Sequence, residues 1–408
     1  MSRSGFRLVL LALLGGHHAF APGASAAVAG GAHYTPVVMS VLAAPHPVIG
    51  SDARTHLVYE IHLTNATPVE WPIESIEVLD GDDPEQVLLT IEGDEVAAKV
   101  QSLAGRAPLD TLPPGQSALA FLHVPIEPGV EVPRSLVHRL TLDLPDGLPD
   151  TFRIFAGLPP DAEVLEQVAG HAPVVDQEPV ALGPPLQGDG WIAADGCCVA
   201  PRHVRGVQTV NGQILGAQRF AIDWERPNEE NRIYVGDPKD VASYFAYGNE
   251  VLAVADARVA RVLDGLDEQV PGALPAAIPI EEADGNHVVL DLGDGLFVLY
   301  AHMIPGSITV AAGDEVRRGK VLGLVGNSGN SSAPHLHLHV MSTPSALAAN
   351  GLPYVIDGYE LIGRIPSTEA FDEAEATGEP AEIVPVEFPG EHANDLPLDQ
   401  SIVRFSGG

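Results

Sequence analysis

The chain has 408 residues, and 45% of them are hydrophobic, so it can bury substantial cores and is not a disordered chain. It has 42 glycines and 36 prolines but only 5% aromatic residues, which favours many turns, few long helices and an all-β protein of more than one domain. Its 21 basic and 55 acidic residues give a formal net charge of −34, which argues against nucleic acid or an anionic membrane surface as a partner.

Residues 1–26 have the features of a secretory signal peptide. Arg3 and Arg7 accompany the apolar run Leu8–Leu14, and Ala24-Ser25-Ala26 supplies small residues at a cleavage position. The apolar run is far shorter than the roughly 20 residues that a membrane span requires. We therefore expect a secreted protein, periplasmic or extracellular, that has no membrane span once the signal peptide is removed.

Residues 34–158 are predicted to form an immunoglobulin-like β-sandwich. Apolar and polar residues alternate over 56–63 and again over 140–144, as they do in half-buried strands, and Gly- and Pro-rich turns separate such segments. We expect this domain to have a structural or positioning role. Four of its histidines fall singly on polar strand faces and are predicted to be solvated: His56, His62, His123 and His138.

Three further segments complete the predicted domain organisation. Residues 159–189 are rich in Pro, Ala, Gly and acidic residues and are predicted to be a linker. Short apolar runs separated by turns predict a second, β-rich domain over 190–364, an antiparallel β-roll with few helices. Residues 365–408 have ten acidic residues and no basic residue before Arg404, which predicts an acidic, mostly solvated tail, although Ser401–Phe405 could dock back as a strand.

The two cysteines, Cys197 and Cys198, are adjacent in the sequence. An oxidising compartment would permit a disulfide between them. A metal-binding role for the pair is the weaker interpretation, because neither cysteine has a spaced Cys or His partner of the zinc-finger type.

The residues that indicate chemistry lie in the second domain. His335, His337 and His339 project from one face of a predicted strand, because residues two apart in a strand share a face. Asp223 lies in the apolar segment Phe220–Trp224, where an unpaired charge would be costly. Imidazole and carboxylate groups are the ligands of hydrolytic zinc sites, which keep one position open for water.

These histidines follow Gly326-Asn327-Ser328-Gly329, and Tyr300-Ala301-His302 lies upstream. Together the motifs resemble those of the lysostaphin-type (LytM-like) zinc metallopeptidases, which cleave peptide bonds in bacterial peptidoglycan. The resemblance covers about residues 199–341. It implies two antiparallel sheets in an open roll, a duplicated hybrid motif, with Zn²⁺ in a groove. It also implies a secreted zinc metalloendopeptidase that acts on peptidoglycan peptide cross-links, with Asp223 and His337 as metal ligands and His302 and His335 as catalytic imidazoles.

The sequence departs from the family at one ligand position. The family's first ligand His stands four residues before the Asp, and that position is Arg219 here, which cannot bind a cation. Either the site has lost a ligand or another His replaces it. Asn211-Gly212 predicts a two-residue hairpin loop, and following its register back places His203 beside the vacant position. A nearby bulge would turn its side chain to the correct face, so we predict that His203 is the third ligand.

Two other classes of function remain open at this stage. One is a catalytically degenerate module that binds peptidoglycan or regulates another cell-wall hydrolase, which Arg219 favours and the intact catalytic imidazoles disfavour. The other is a lipoyl- or biotinyl-like carrier, suggested by the rhythm of Gly313–Gly323. A carrier would need a modifiable Lys at a hairpin tip and would leave the histidines without a role.

Overall fold

The structure, a computed structural model, describes residues 32–406, and the predicted signal peptide lies outside these residues. Strands greatly outnumber helices, so the prediction of an all-β protein is confirmed. Within residues 32–406, no helix combines the length and the apolar character needed to cross a membrane. The immunoglobulin-like topology and the duplicated roll remain predictions.

The first part of the described chain forms two five-stranded sheets that share one hydrophobic cluster. The cluster joins Leu57 and Ile61 of one sheet to Ile76 and Leu140 of the other. Two short helices, α1 (Asp94–Lys99) and α2 (Asp150–Phe155), accompany the sheets. The strands are β1 (Val37–Val41), β2 (Val48–Ile49), β3 (Thr55–Asn65), β4 (Trp71–Asp80), β5 (Val87–Glu92), β6 (Val100–Ser102), β7 (Thr111–Leu112), β8 (Ser117–Ile126), β9 (Ser135–Asp143) and β10 (Val164–Pro173).

The second part is built around an eleven-stranded sheet in the order β20-β17-β18-β19-β22-β15-β12-β27-β25-β26, with β23 beside β22. Its helices are α3 (Pro201–Val204), α4 (Thr368–Thr377) and two short 3₁₀ turns, Val241–Ser243 and Ile280–Glu282. The strands are β11 (Val180–Leu182), β12 (Gly188–Ala194), β13 (Gln208–Val210), β14 (Gln213–Leu215), β15 (Ile222–Glu225), β16 (Glu250–Leu252), β17 (Ala257–Leu263), β18 (Asn286–Gly293), β19 (Leu296–Met303), β20 (Glu315–Val316), β21 (Val321–Leu324), β22 (Leu336–Met341), β23 (Gly351–Leu352), β24 (Tyr354–Ile356), β25 (Tyr359–Arg364), β26 (Gly390–His392) and β27 (Ser401–Phe405).

The segments predicted as linker (159–189) and acidic tail (365–408) are largely folded. Residues 164–173 form β10, which pairs with β9 in the first part of the chain. Strand β27 lies between β12 and β25 inside the large sheet, with Ile402, Val403 and Phe405 buried. The high acidic content of the whole segment therefore does not exclude a short strand whose apolar residues pack in the core.

Helix α4 also lies in the predicted tail. Its first turn is capped by the Ser367 hydroxyl, which accepts a hydrogen bond from the Ala370 N–H, and it ends at Gly378 in the left-handed conformation, φ 70°. Phe371 and Ala374 are its buried residues, and both belong to a hydrophobic cluster that includes Ile192 of β12. The helix is therefore held against the large sheet rather than extended into solvent.

Two of the four sandwich histidines are buried, so the prediction that all were solvated is wrong for them. His138 is fully buried, and it contacts the Tyr59 hydroxyl through Nε2 and the Gly170 carbonyl through Nδ1. His56 is 2% exposed, because the segment around Leu396 forms a bridge to Gly50 and covers this edge of the sandwich. A polar position on a strand indicates a solvated side chain only where no later segment covers that face.

Candidate metal centre

Asp223 and His337 are brought together by strand register. Asp223 of β15 lies opposite His337 of β22, and His337 lies opposite Ala301 on the other side in β19. The side chains meet above the sheet, where His337 Nδ1 is 2.8 Å from Asp223 Oδ1. The two residues predicted from the motifs as metal ligands are thus direct neighbours.

His203 reaches the same carboxylate, but by a route that differs from the predicted one. The hairpin at Asn211-Gly212 forms with the expected pairing of Val210 and Gln213, yet its ladder ends at Gln208. Pro201 then occupies the start of helix α3, and His203 projects from that helix with Nε2 3.3 Å from Asp223 Oδ2. The predicted strand extension and bulge are therefore wrong, although the side chain lies beside the carboxylate.

Hydrogen bonds orient the ring of His203. Its Nδ1 lies 2.9 Å from the Asp195 carbonyl oxygen and 3.2 Å from that of Ala221. Because carbonyl oxygens can only accept, Nδ1 carries a proton, and Nε2 is the nitrogen that faces Asp223. A metal-binding histidine is commonly held through its other ring N–H in this way.

Arg219, which occupies the family's first ligand position, points away from this cluster. Its guanidinium makes a two-point ion pair with Glu60 of β3, Nε to Oε1 at 2.8 Å and Nη2 to Oε2 at 2.6 Å. Nη1 also donates to the Gly351 carbonyl at 3.0 Å. The side chains of Arg219 and Glu60 are 3% and 0% exposed, so the arginine links the large sheet to the sandwich instead of competing for a ligand position.

The three side chains fit a zinc ion. The donor atoms of His203, Asp223 and His337 all lie within 4.8 Å of one another, and two imidazoles with one carboxylate form a set typical of hydrolytic zinc sites. His339 lies behind His337, with its Nδ1 2.8 Å from His337 Nε2. This contact engages Nε2 of His337. Its Nδ1 faces Asp223, as metal binding through Nδ1 would require.

His302 and His335, the predicted catalytic imidazoles, lie beside the cluster with ring centroids 4.8 Å apart. Nδ1 of His302 donates to the Ser328 carbonyl at 2.7 Å, and Nδ1 of His335 donates to the Ala333 carbonyl at 2.8 Å. Both rings therefore carry a proton on Nδ1, and Nε2 of His335 lies 3.4 Å from Asp223 Oδ1. His302 has φ 63°, a strained conformation for this residue type that is found at functional sites.

The glycine-rich loop before β22 sets the position of these rings. Gly326 forms a bridge with His335, and a Cβ at this glycine would approach the backbone nitrogen of Ile304 to 2.5 Å. Only glycine allows this close approach of the loop to the end of β19. The loop then presents the Ser328 carbonyl that fixes His302.

Burial and neighbouring charges separate the pKa values at the site. Burial, with His335 and His337, holds the pKa of His302 well below its usual range. Burial also lowers the pKa of His203, but the Asp223 and Asp195 carboxylates more than offset this and raise it to about 9. Burial would raise the pKa of Asp223, yet the surrounding imidazoles hold it well below its ordinary value. Asp223 is therefore ionised, as a metal ligand must be.

The predicted site residues line one cavity of about 310 Å³. Sequence analysis missed part of its wall. Glu225 follows Asp223 by two residues in the same strand, so strand alternation could have revealed it. No local signal could have identified Phe371 and Glu375, because helix α4 lies in the segment predicted as a solvated tail. The missed residues that line the cavity include Asp195, Arg202, Glu225, Phe371 and Glu375.

Known proteins are similar to parts of this chain. One solved structure is a mutant catalytic domain of the prophage-encoded M23 protein EnpA from Enterococcus faecalis, at 20% identity over 41% of this chain and 90% of that chain, with a TM-score of 0.23. Another is the catalytic domain of the antimicrobial peptidase lysostaphin from Staphylococcus simulans, at 19% identity over 40% and 88%, with a TM-score of 0.22. A third is pseudoalterin, an M23 metalloprotease from the deep sea, at 14% identity over 44% and 75%, with a TM-score of 0.24.

Residues 240–349 match the model of peptidase family M23. The matched segment contains His302, His335 and His337, whereas His203, Asp223 and helix α4 lie outside it. This match confirms the family resemblance read from the motifs, while the replacement of the missing ligand by His203 remains a prediction. Over residues 240–349 the chain is therefore similar to peptidase family M23.

Proposed function

We propose that this protein is a secreted zinc metalloendopeptidase that hydrolyses peptide bonds in peptidoglycan cross-links. One observation carries the proposal: the donor atoms of His203, Asp223 and His337 lie within 4.8 Å of one another, in the cavity that His302 and His335 also line. Substitution of the usual ligand position by Arg219 removes no ligand from this arrangement. Metal binding and proton transfer therefore both have residues available.

In the proposed mechanism, His203, Asp223 and His337 hold Zn²⁺. When bound, zinc supplies Lewis-acid chemistry, polarising the peptide carbonyl and lowering the pKa of a water molecule to about 7. One of the two rings, His302 or His335, accepts the proton of the attacking water on Nε2. The other ring, protonated on Nε2, donates a hydrogen bond to the developing oxyanion and then gives that proton to the departing amine. The Nδ1 bonds to Ser328 and Ala333 keep both rings oriented through the proton transfers.

The proposal is tested with purified mature protein. We expect about one zinc per chain, release of new amino groups from purified peptidoglycan, and loss of that release on chelation with recovery on adding zinc. Binding of peptidoglycan in both the chelated and zinc-loaded states without any release of amino groups would contradict it. That outcome would favour the degenerate binding module instead.

A further inference from the structure

The cavity that holds the proposed metal centre has a second wall that contains two glutamates, Glu225 and Glu375. Glu225 and Asp223 lie on the same face of β15, because they are two residues apart in a strand. Glu375 projects from helix α4 towards the same cavity. The wall therefore joins the strand of a metal ligand to a helix outside the matched family segment.

Each of the two glutamates has an oxygen without a hydrogen-bond partner. Within residues 32–406, Glu225 Oε2 and Glu375 Oε1 are both buried atoms without such a partner. Glu225 as a whole is 5% exposed. Buried polar atoms are almost always hydrogen-bonded, so these two oxygens require an explanation.

The basic residue in this wall, Arg202, is already engaged. Its Nη1 donates to Asp195 at 2.8 and 3.0 Å, and its Nη2 donates to Asp372 at 2.7 and 2.8 Å. Two carboxylates thus share one guanidinium, and within residues 32–406 Arg202 makes no hydrogen bond to either glutamate. Asp223 contacts three imidazole neighbours. Glu225 and Glu375 are the carboxyl groups of this wall that keep an oxygen without a hydrogen-bond partner.

We propose that Glu225 and Glu375 form a subsite for a primary ammonium group of the peptide substrate, next to the bond that is cut. This inference rests on the proposed peptidase function and adds a substrate class to it. An ammonium has three donors and a compact charge, so it can donate to more than one carboxyl oxygen. The ammonium can come from the amino terminus of a peptide or from an amino-bearing side chain.

The size of the cavity supports this assignment. Its volume of about 310 Å³ accommodates a short peptide segment but not a folded domain.

The experiment measures binding rather than turnover. The zinc-loaded His335→Ala full-length protein is titrated by calorimetry with the peptide Ala-Ala-Lys-Ala-Ala and with its Nα-acetyl, Nε-acetyl and doubly acetylated forms. We expect acetylation of one of the two amines to weaken binding at least tenfold, and the form affected identifies which amine enters the subsite. Equal affinity for all four peptides would overturn the proposal without any need for a glutamate variant.

Glu375→Gln in the same background should reduce this discrimination to less than threefold. The matched control is Glu373→Gln, an exposed residue of the same helix, which should keep the full difference between the peptides. Full discrimination in the Glu375→Gln protein would overturn the assignment and leave the glutamates a purely structural role. Glu225→Gln is the second variant, and its zinc content is measured alongside because it neighbours Asp223.

These experiments distinguish failure of the ammonium subsite from failure of the proposed hydrolase function. If the protein binds amine-bearing peptides selectively but wild-type protein releases no amino groups from peptidoglycan, the hydrolase proposal fails and the subsite stands. If peptidoglycan is hydrolysed at equal rates before and after acetylation of its free amines, the subsite fails and the hydrolase proposal stands.

Discussion

The sandwich and the large sheet each contain a cluster of two histidines and one aspartate, yet the clusters differ in what their nitrogen atoms face. In the sandwich, His56 Nε2 is 2.9 Å from Asp52 Oδ1 and its Nδ1 is 2.8 Å from His123 Nε2, so both of its nitrogens are occupied within the cluster. In the large sheet, backbone carbonyls hold the outer nitrogen of His203 and leave its inner nitrogen facing Asp223.

The third group near each histidine pair also differs. The atom that lies close enough to complete a ligand set with His56 and His123 is the sulfur of Cys198. That sulfur is bonded to Cys197, so it is no thiolate and cannot serve as an ordinary metal ligand. Asp223, by contrast, is ionised and faces the cavity. Residue types alone therefore do not define a metal site. The hydrogen-bond partners of each imidazole ring also decide which of its nitrogen atoms faces the carboxylate.

The largest difference is expected when one histidine of each cluster is removed. His337→Ala should reduce the zinc content from about one per chain to background and abolish peptidase activity, because it deletes a ligand of a three-ligand site. His123→Ala is the matched change in the sandwich and should leave both unchanged. Zinc analysis and amino-group release measure the two effects. Loss of zinc in the His123→Ala protein, with zinc kept in His337→Ala, would reverse the assignment of the two clusters.

The second prediction separates ligands from proton-transfer residues inside the large sheet. His302→Ala and His335→Ala should each keep full zinc content while lowering kcat by roughly 10²–10⁴-fold, the usual contribution of general acid–base catalysis. His203→Ala should instead lose zinc. The measurement is metal content and kcat on the same protein samples. A His203→Ala protein that keeps both would show that His203 is not the replacement ligand.

The third prediction concerns the buried ion pair between the two regions. Glu60→Gln should lower the free energy of unfolding by about 3–5 kcal/mol, because it leaves the Arg219 guanidinium buried without its charge partner. The double variant Glu60→Leu/Arg219→Met removes both charges and should be less destabilised than Glu60→Gln. Urea unfolding provides the comparison. If Glu60→Gln is as stable as wild type, the ion pair between the sandwich and the large sheet contributes nothing to the free energy of unfolding.

Much of the site could be predicted from the sequence because its signals are local. The spacing His335-Leu336-His337 fixes which side chains share a strand face, and the apolar neighbours of Asp223 indicate a carboxylate that needs a partner. The β-rich class followed from composition and alternation in the same way.

The remainder depended on contacts between distant residues. The partner of Arg219 is Glu60, 159 residues away, and no local pattern relates the two. The sequence of helix α4 and strand β27 predicts an acidic tail, because they contain few apolar residues. Those residues are buried only through contact with the large sheet, which the local sequence does not reveal. His203 was placed by extending a hairpin, whereas Pro201 begins a helix before the hairpin, so the correct neighbour was reached through an incorrect local structure.

The last prediction concerns how two aspartates, Asp284 and Asp52, make the free energy of unfolding depend on pH, with opposite signs in the two regions. Burial raises the pKa of Asp284 beside β18 from 3.8 to about 7, so the folded state holds its proton more tightly than the unfolded state does. Stability should therefore fall as pH rises from about 4 to about 7, and Asp284→Asn should remove that part of the decline.

Asp52 in the sandwich should behave in the opposite way. Burial would raise its pKa, but the bond and charge of His56, with Arg54, lower it to about 2, so its contribution is lost as pH falls from about 4 to about 2. Because Asp52 is partly exposed, solvent screening should limit this contribution to less than about 1 kcal/mol. Urea midpoints of wild type, Asp284→Asn and Asp52→Asn at pH 3, 5 and 8 test both signs. An Asp284→Asn protein that loses as much stability as wild type between pH 5 and 8 would show that this carboxyl is already ionised in the folded chain.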